Sequence, residues 1–240
     1  MMIRKRKEQQ TNLKIDFHTH ILPGIDDGSQ SLSQSMQLLA AAKNAGFETV
    51  VATSHFYPHR YNVPEFLRKR EAAYAKIDKT ADIPNIILGA EVLVCEGMEE
   101  MLQLESLCLG NSNTMLIELP FDDSNVTDRM YETVENMLYD KKFNIVLAHP
   151  SRYSSYIVEN MLSIGVKLQV NISHICVFSE RRRIMQWLDR GYVYAIGSDV
   201  HQHDKVYEEL KRAEKYIGKY IDDINHHSIE LLKRKFNKGL

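Results

Sequence analysis

The sequence predicts a single α/β domain built from repeated strand–helix units. Short apolar runs rich in β-branched residues alternate with longer amphipathic stretches, a pattern typical of a mostly parallel sheet. A length of 240 residues suits one large domain, since α/β barrels commonly reach this size. No low-complexity linker interrupts the alternation. We therefore expect one domain over residues 13–240, preceded by a flexible basic tail at 1–12.

The order of strands and helices follows from the apolar pattern and from the residues that can begin or end a helix. Ser29 or Ser31 can cap the first helix, and Pro64 can open the second. Gly46 lies where the first helix should stop before the next strand. Seven strands are expected, at 14–18, 48–54, 85–91, 114–119, 144–149, 166–172 and 192–198. The helices are expected at 31–45, 64–79, 98–107, 127–141, 154–164, 180–190, 204–217 and 223–236.

Composition restricts the classes of partner. A formal net charge of -2 gives no general reason to expect nucleic acid or an anionic membrane as partner. Three cysteines without CxxC spacing do not form a disulfide framework, which favours a reducing, cytoplasmic compartment. The basic start is followed by no apolar run of signal-peptide length, and no run approaches a membrane span. We expect a soluble protein that does not insert into membranes.

Histidines and carboxylates recur where the predicted strands end. Ligands of parallel α/β folds bind at the carboxyl ends of the strands, whether seven units close as a barrel or stay open, and pattern alone leaves that choice undecided. Imidazole and carboxylate hold Mn²⁺, Fe or Zn²⁺, so the set predicts a site for more than one ion. Each histidine alone is equally well explained as a hydrogen-bonded core residue. The polar residues at strand ends are Asp16, His18, His20, His55, Glu91, Glu118, His149, Asn171, Asp199 and His201.

Six ordered motifs resemble one family. They are IDFHTHILPGIDDG at 15–28, GAE at 89–91, LIELP at 116–120, AHPSRY at 148–153, LQVN at 168–171 and GSDVH at 197–201. Together they are similar to the bacterial protein-tyrosine phosphatases of the polymerase and histidinol phosphatase (PHP) superfamily, of the capsule-regulating CpsB/YwqE type. The resemblance implies a distorted seven-stranded (β/α)7 TIM-like barrel. It also implies hydrolysis of phosphotyrosine, with a bacterial tyrosine kinase of capsule or exopolysaccharide synthesis as the protein partner.

The same resemblance implies up to three metal ions, usually manganese, with Fe or Zn²⁺ as alternatives. A metal-activated hydroxide would attack phosphorus without a covalent phosphoenzyme. Asp27 could replace Asp26, because the DDG sequence offers two carboxylates. By resemblance the first ion is held by His18, His20, Glu91 and Asp199, the second by Glu91, Glu118 and His149, and the third by Asp26, His55 and His201.

Arg152, Asp199 and His201 are the expected catalytic residues, and Arg152 suits bidentate binding of phosphate. The sequence departs from the family pattern in three places. It reads Thr53-Ser54-His55-Phe56 in place of TPHH and HPSRY in place of HPERY. The arginine expected after His201 is missing, which leaves Arg60 or Lys205 as candidates for a second phosphate-binding cation.

Three alternative functions stay open. Cys176 and Arg182 have the C-x5-R spacing of cysteine-dependent phosphatases, although the intervening residues include no glycine and do include Glu180. A PHP-type enzyme could instead act on a small phosphoester such as histidinol phosphate. A non-catalytic binding module is the third alternative.

Overall fold

A computed structural model describes residues 11–203, 205–233 and 235 of the chain. In that part of the chain the strands are β1 (Ile15–Thr19), β2 (Thr49–Ala52), β3 (His55–Phe56), β4 (Asn85–Leu88), β5 (Glu91–Leu93), β6 (Thr114–Glu118), β7 (Asn144–Leu147), β8 (Lys167–Asn171) and β9 (Val193–Gly197). The α-helices are α1 (Leu32–Ala45), α2 (Val63–Tyr74), α3 (Asp128–Tyr139), α4 (Ser155–Ser163), α5 (Ile172–Cys176), α6 (Phe178–Asp189), α7 (Val206–Ile217) and α8 (Ile221–Lys233).

The strands pair in parallel within two sheets, which confirms the predicted α/β class. One sheet has the order β1-β2-β4, and the other has the order β3-β5-β6-β7-β8-β9. An isolated parallel bridge between Thr19 and Val200 links the end of β1 to the segment after β9. The carboxyl ends of all the described strands therefore face the same side of the molecule.

The prediction of seven continuous strands was wrong at two points: the strand predicted at 48–54 ends at Ala52 and is followed by the separate strand β3, and the strand predicted at 85–91 breaks after Leu88. Thr53 lies at the break and still bonds to β1: its amide donates to the Thr19 carbonyl at 2.9 Å, and its hydroxyl oxygen accepts from the Thr19 amide at 3.1 Å. Beyond the break, the Glu91 amide donates to the carbonyls of Thr53 and Ser54. The first halves pair as β2 with β4, and the second halves pair as β3 with β5.

The predicted helix at 98–107 was also wrong. Two short 3₁₀ turns, Met98–Glu100 and Leu104–Leu107, occupy this stretch. Gln103 lies before the second turn with a φ of 63°, a left-handed conformation that cannot continue a right-handed helix. The short helix α5 was not predicted, and α2 ends at Tyr74 instead of 79. The other predicted helices are present within a few residues of their expected bounds.

The polar strand ends rest on buried apolar side chains. A small cluster takes members from five strands and includes Phe17, Val51, Leu116, Val146 and Ala195, with Leu231 of α8 packed against them. A larger cluster fills the space between the strands and the helices. Because such cores are packed as densely as organic crystals, they hold the strand ends in fixed relative positions. None of the helices in the described residues is both long and apolar enough to cross a membrane.

Candidate metal centre

The predicted ligands meet at the carboxyl ends of the strands. His18 lies near the end of β1 and His20 directly after it, while Glu91 begins β5. His149 follows β7, and Asp199 follows β9. These five side chains are buried, with at most 8% of each exposed. Residues far apart in sequence therefore share one enclosed space.

A first group consists of His18, His20 and Asp199. The Nε2 atoms of the two histidines are 3.1 Å apart, and Asp199 Oδ1 lies 3.5 Å from each of them. Two donors bound to one ion at about 2.1 Å are themselves about 3.0–3.4 Å apart for bond angles between octahedral and tetrahedral values. The spacing of the three atoms therefore fits a single ion.

A second group consists of His55, Glu91 and Glu118. His55 Nδ1 lies 3.1 Å from Glu91 Oε2 and 3.1 Å from Glu118 Oε1. Glu91 Oε2 is also 3.1 Å from His18 Nε2 and 3.2 Å from His20 Nε2, and Glu91 Oε1 is 2.6 Å from His149 Nε2. Glu91 thus contacts four imidazoles and stands between the two groups.

A third group includes Asp27 and not Asp26. Asp27 Oδ1 lies 3.5 Å from His55 Nε2 and 3.6 Å from His201 Nε2, and His20 completes the group. Asp26 Oδ2 instead accepts hydrogen bonds from His20 Nδ1 at 2.9 Å and from the His55 amide at 3.0 Å. Its other oxygen accepts from the Gly28 amide at 3.0 Å. Asp26 is therefore engaged in orienting its neighbours.

Hydrogen bonds behind the histidines fix which nitrogen faces the centre. His18 Nδ1 donates to Gln169 Oε1 at 2.9 Å, as His20 Nδ1 donates to Asp26, so the Nε2 atom of each histidine faces the centre. Gln169 Nε2 in turn donates to Asn171 Oδ1, and Asn171 Nδ2 donates to Asp199 Oδ2 at 2.8 Å. The sequence reading did not select Gln169. Its alternation with Asn171 along β8 is the pattern that could have identified it.

Several buried polar atoms of the described residues have no hydrogen-bond partner, and three of them meet at the centre. They are His55 Nδ1, Glu91 Oε2 and Glu118 Oε1, which face one another. A buried polar atom without a partner is costly and rare in native proteins. A cation among imidazole and carboxylate donors satisfies all three atoms at once, so the residues present fit a metal.

The electrostatics of the centre favour the ionised forms of Glu91 and Asp199. Burial alone raises the pKa of Glu91, but His18 and His149 outweigh it and hold that pKa well below the usual value. Burial is likewise outweighed at Asp199, where His18 and His20 lower the pKa to about 2. Burial lowers the pKa of His20, but Asp26 and Glu91 raise it well above its ordinary value. The protonated form of His20 is thus favoured beside these carboxylates, and a metal ion must displace that proton.

Residues 14–233 match the family described as capsular polysaccharide synthesis, CpsB/CapC. The chain belongs to this family. The tyrosine-protein phosphatase CpsB of Streptococcus pneumoniae is 29% identical over 225 residues, covering 85% of this chain and 90% of that protein. The tyrosine-protein phosphatase YwqE of Bacillus subtilis (strain 168) is 26% identical over 238 residues, covering 92% and 91%.

The fold is also that of a solved CpsB/CapC relative. The structure belongs to a study of YwqE from Bacillus subtilis and CpsB from Streptococcus pneumoniae, described as unique metal-dependent tyrosine phosphatases. It matches with a TM-score of 0.77 at 22% identity, covering 92% of this chain and 95% of that chain. At this level of identity the match establishes a shared fold.

Arg152 lies at the edge of the centre. One guanidinium nitrogen donates to Asp199 Oδ2 at 3.1 Å, and another lies 3.3 Å from His149 Nε2. Its side chain is 37% exposed, so it can reach both the centre and solvent. Arg60 is less direct: its guanidinium carbon is 4.8 Å from the centroid of the Tyr57 ring, and that ring stacks on His55.

The backbone around the centre adopts conformations that few residues tolerate. His149 and Asp199 have φ values of 34° and 55°, and non-glycine residues with such values cluster at functional sites. Two glycines let the chain pass against the paired histidines. A Cβ at Gly197 would lie 2.6 Å from His18 Cβ, and one at Gly28 would lie 2.4 Å from His20 Cβ. Both approaches are closer than real Cβ contacts.

The surroundings of Cys176 do not fit a phosphate-binding loop. Its thiol is buried at the end of α5 and donates to the Glu209 carbonyl at 3.6 Å, and burial raises its pKa. A reactive cysteine needs a lowered pKa and access to substrate. Arg181, in the same motif, stacks on the Tyr216 ring at 3.8 Å. The C-x5-R spacing therefore coincides with an inert thiol.

Proposed function

We propose that this chain is a metal-dependent protein-tyrosine phosphatase that hydrolyses phosphotyrosine in a protein substrate. The proposal depends on the surroundings of Glu91. This buried carboxylate contacts four histidines and lies beside buried nitrogen and oxygen atoms that have no hydrogen-bond partner in the described residues. The curated CpsB and YwqE relatives are tyrosine-protein phosphatases, and their matches cover most of this chain. Capsule synthesis, the process that names the family, is the proposed context.

The centre is proposed to hold up to three divalent ions, with Mn²⁺ first and Fe or Zn²⁺ as alternatives. A mixed set of imidazole and carboxylate donors suits all of these metals. Bound ions would lower the pKa of a water molecule and neutralise charge on the phosphate. We assign Asp27 in place of Asp26 to the ligand set. The proposed ligands are His18, His20, Asp27, His55, Glu91, Glu118, His149, Asp199 and His201.

The chain's own residues orient the phosphate. Arg152 presents a planar fork with five donors, which suits bidentate binding of two phosphate oxygens. Asp199 Oδ2 fixes that fork through its 3.1 Å contact with Arg152 and is itself held by Asn171. His201 Nδ1 donates to the Asp199 carbonyl at 3.0 Å, which leaves its Nε2 facing Asp27. Arg60 is proposed as a second, more distant contact for substrate.

The partner is proposed to be a phosphotyrosine protein, namely a bacterial tyrosine kinase that regulates capsule or exopolysaccharide synthesis, met in the cytoplasm. We also propose that residues 13–240 form one domain and that the two sheets are parts of one distorted seven-stranded (β/α)7 barrel. Two observations support the barrel: the interrupted strands continue from one sheet into the other, and the Thr19–Val200 bridge joins β1 to the end of β9.

A chelator experiment tests this function. Removing metal should abolish hydrolysis of a phosphotyrosine peptide, and Mn²⁺ should restore it, because the proposed mechanism activates the attacking water through the bound metal. His18→Ala should lose most activity, since it opens the first group of ligands. Cys176→Ser should keep most activity as the matched control. Full activity in verified metal-free protein, or an inactive but fully metallated Cys176→Ser protein, would overturn the proposal.

A further inference from the structure

A groove of about 210 Å³ opens directly beside the metal centre. Its inner end is lined by Glu118 and Arg152, which belong to the centre. Its outer part is lined by uncharged side chains, among them Leu93, Pro120 and Phe121. The groove therefore has a charged end and an apolar end, in that order from the metals outward.

Two tyrosines form rigid walls of this groove. Tyr153 is 3% exposed, and its hydroxyl accepts from the Leu119 amide at 3.0 Å. The Tyr57 ring stacks on His55 with 4.9 Å between centroids, and Arg60 packs over it. Contacts within the protein hold both rings, which favours a groove that needs little rearrangement on binding.

Phe121 contrasts with these walls. It is 87% exposed at the outer end of the groove, three residues beyond the end of β6. Contact with an apolar ligand would remove part of this ring from water, which favours binding in proportion to the area buried. Flat aromatic ligands gain a further contribution from ring–ring contact.

We propose that this groove is the aryl subsite of the enzyme, holding the phenyl ring of phosphotyrosine while its phosphate lies between the metal centre and Arg152. The inference rests on the proposed phosphatase function and adds the residues that select an aryl ester. An alkyl phosphate such as phosphoserine fills the charged end of the groove and leaves the apolar end empty. Phe121 and Leu93 then discriminate between the two esters.

The groove also argues against histidinol phosphate, whose ammonium group requires an acidic partner beyond the phosphate. The residues that line the outer part are uncharged. The carboxylates that follow Phe121 serve a turn: Asp122 Oδ1 accepts from the Ser124 amide, and Asp123 Oδ2 accepts from the Ser154 amide. A cationic small substrate would therefore place its charge against apolar side chains, which is unfavourable.

The test compares two phenylalanines with nearly equal exposure. Phe121→Ala removes the outer wall of the groove, and Phe178→Ala removes a ring that is 84% exposed at the start of α6, outside the groove. We measure kcat/KM for a phosphotyrosine peptide and the inhibition constant of inorganic phosphate, which probes the charged end alone. Metal content and Tm are measured for each protein.

Phe121→Ala should lower kcat/KM for the peptide roughly tenfold, which corresponds to about 1.4 kcal/mol. Its inhibition constant for phosphate and its metal content should match those of the wild type. Phe178→Ala should change none of these values. Equal kcat/KM in Phe121→Ala and wild type, or a parallel loss of phosphate inhibition, overturns the aryl subsite. A wild-type protein loaded with Mn²⁺ that does not hydrolyse the peptide refutes the phosphatase function instead.

Discussion

Asp26 and Asp27 are neighbours in the sequence and make different contacts in the site. Asp26 is 4% exposed and holds His20 and the His55 backbone. Asp27 is 70% exposed and points its carboxylate between His55 and His201. Sequence spacing could not separate the two, because the choice depends on how the loop after β1 folds back on itself. That path is fixed in part by the Gly28–Asp26 hydrogen bond.

Substitution of these two aspartates should have distinct effects on metal binding. Asp27→Asn should lower the number of ions bound per chain by one, since it removes a charged ligand. Asp26→Asn should keep that number at high metal concentration but weaken affinity about 10- to 100-fold, as expected for a residue that orients a ligand. Metal titration with elemental analysis measures both quantities. Loss of an ion in Asp26→Asn, with none lost in Asp27→Asn, would reverse the assignment.

Asp16 is a buried carboxylate next to the centre. Burial raises its pKa to about 6, although Ser198 and Tyr207 donate hydrogen bonds to it and lower that pKa in part. The folded protein therefore binds a proton at Asp16 more tightly than the unfolded chain does. Proton binding at Asp16 therefore contributes to the free energy of unfolding. This contribution is fully present below the pKa of the unfolded state, near 3.8, and is lost as the pH rises through the folded-state pKa of about 6.

Asp16→Asn should remove this contribution to pH dependence. Between pH 5 and pH 7.5 the free energy of unfolding of the wild type should fall by about 1–2 kcal/mol relative to the variant, because one pKa unit corresponds to about 1.4 kcal/mol. The asparagine can still accept from the Ser198 amide, so the fold should survive. Urea unfolding of both proteins in chelator measures the difference. If the difference in unfolding free energy between wild type and Asp16→Asn is the same at pH 5 and pH 7.5, the raised pKa of Asp16 is contradicted.

At the scale of elements, helix α6 supports the turn that carries His149 and Arg152. Arg183 donates one hydrogen bond to the Ser151 carbonyl at 2.8 Å and another to the Tyr153 carbonyl at 2.9 Å. Its guanidinium packs over the Trp187 ring at 4.9 Å. The two carbonyls flank Arg152, so Arg183 sets the direction in which that side chain leaves the backbone.

Arg183→Ala should therefore lower kcat/KM for a phosphotyrosine peptide roughly tenfold, equivalent to about 1.4 kcal/mol of transition-state stabilisation. Metal content should stay unchanged, because the contacts of Arg183 within the described part of the chain are to two carbonyls, Glu180 and Trp187, and to none of the proposed ligands. Arg183→Lys should recover part of the loss, since an ammonium can reach one carbonyl. Arg182→Ala, on the exposed side of the same helix, is the control. Equal losses in the two alanine variants would make the effect one of helix stability.

The prediction of strands and helices succeeded where the hydrophobic periodicity is strong. It failed where a single backbone angle determines whether a helix can continue. The apolar runs at β6, β7 and β9 identified these strands, and the polar residues at their ends include Glu118, His149 and Asp199. The helix predicted at 98–107 failed because Gln103 adopts a left-handed conformation that its residue type does not announce. Arg183 could not be found either, because its role depends on a contact between distant segments.

At the scale of the whole molecule, the metal centre joins segments that are distant in the chain. His18 on β1 and Asp199 after β9 are separated by 181 positions and approach within 3.5 Å. The sequence identified these residue types at strand ends, and the parallel fold then brings the ends together. Their grouping around individual ions was not predictable from sequence, since it depends on distances of a few tenths of an ångström.

Binding of metal should stabilise the entire fold, because the proposed ligands come from segments that are distant in the chain. An ion that binds only the native state at 100 times its Kd adds about 2.7 kcal/mol, which raises Tm by roughly 5–10 °C in a protein of this size. Calorimetry in chelator and in Mn²⁺ measures the shift. His18→Ala should show a smaller shift, and Phe178→Ala should keep the full one. An identical Tm in both solutions would show that the centre does not bind Mn²⁺ in the folded state.

The two glycines packed against His18 and His20 extend the functional site beyond its donor atoms. Gly28 and Gly197 carry no side chain, yet any larger residue would displace the backbone that presents the paired imidazoles. We therefore expect few substitutions to be tolerated at these two positions, although neither glycine has a side chain that could bind metal or substrate. A mutation at either glycine codon can therefore cause an inherited loss of activity, although it replaces no reactive side chain.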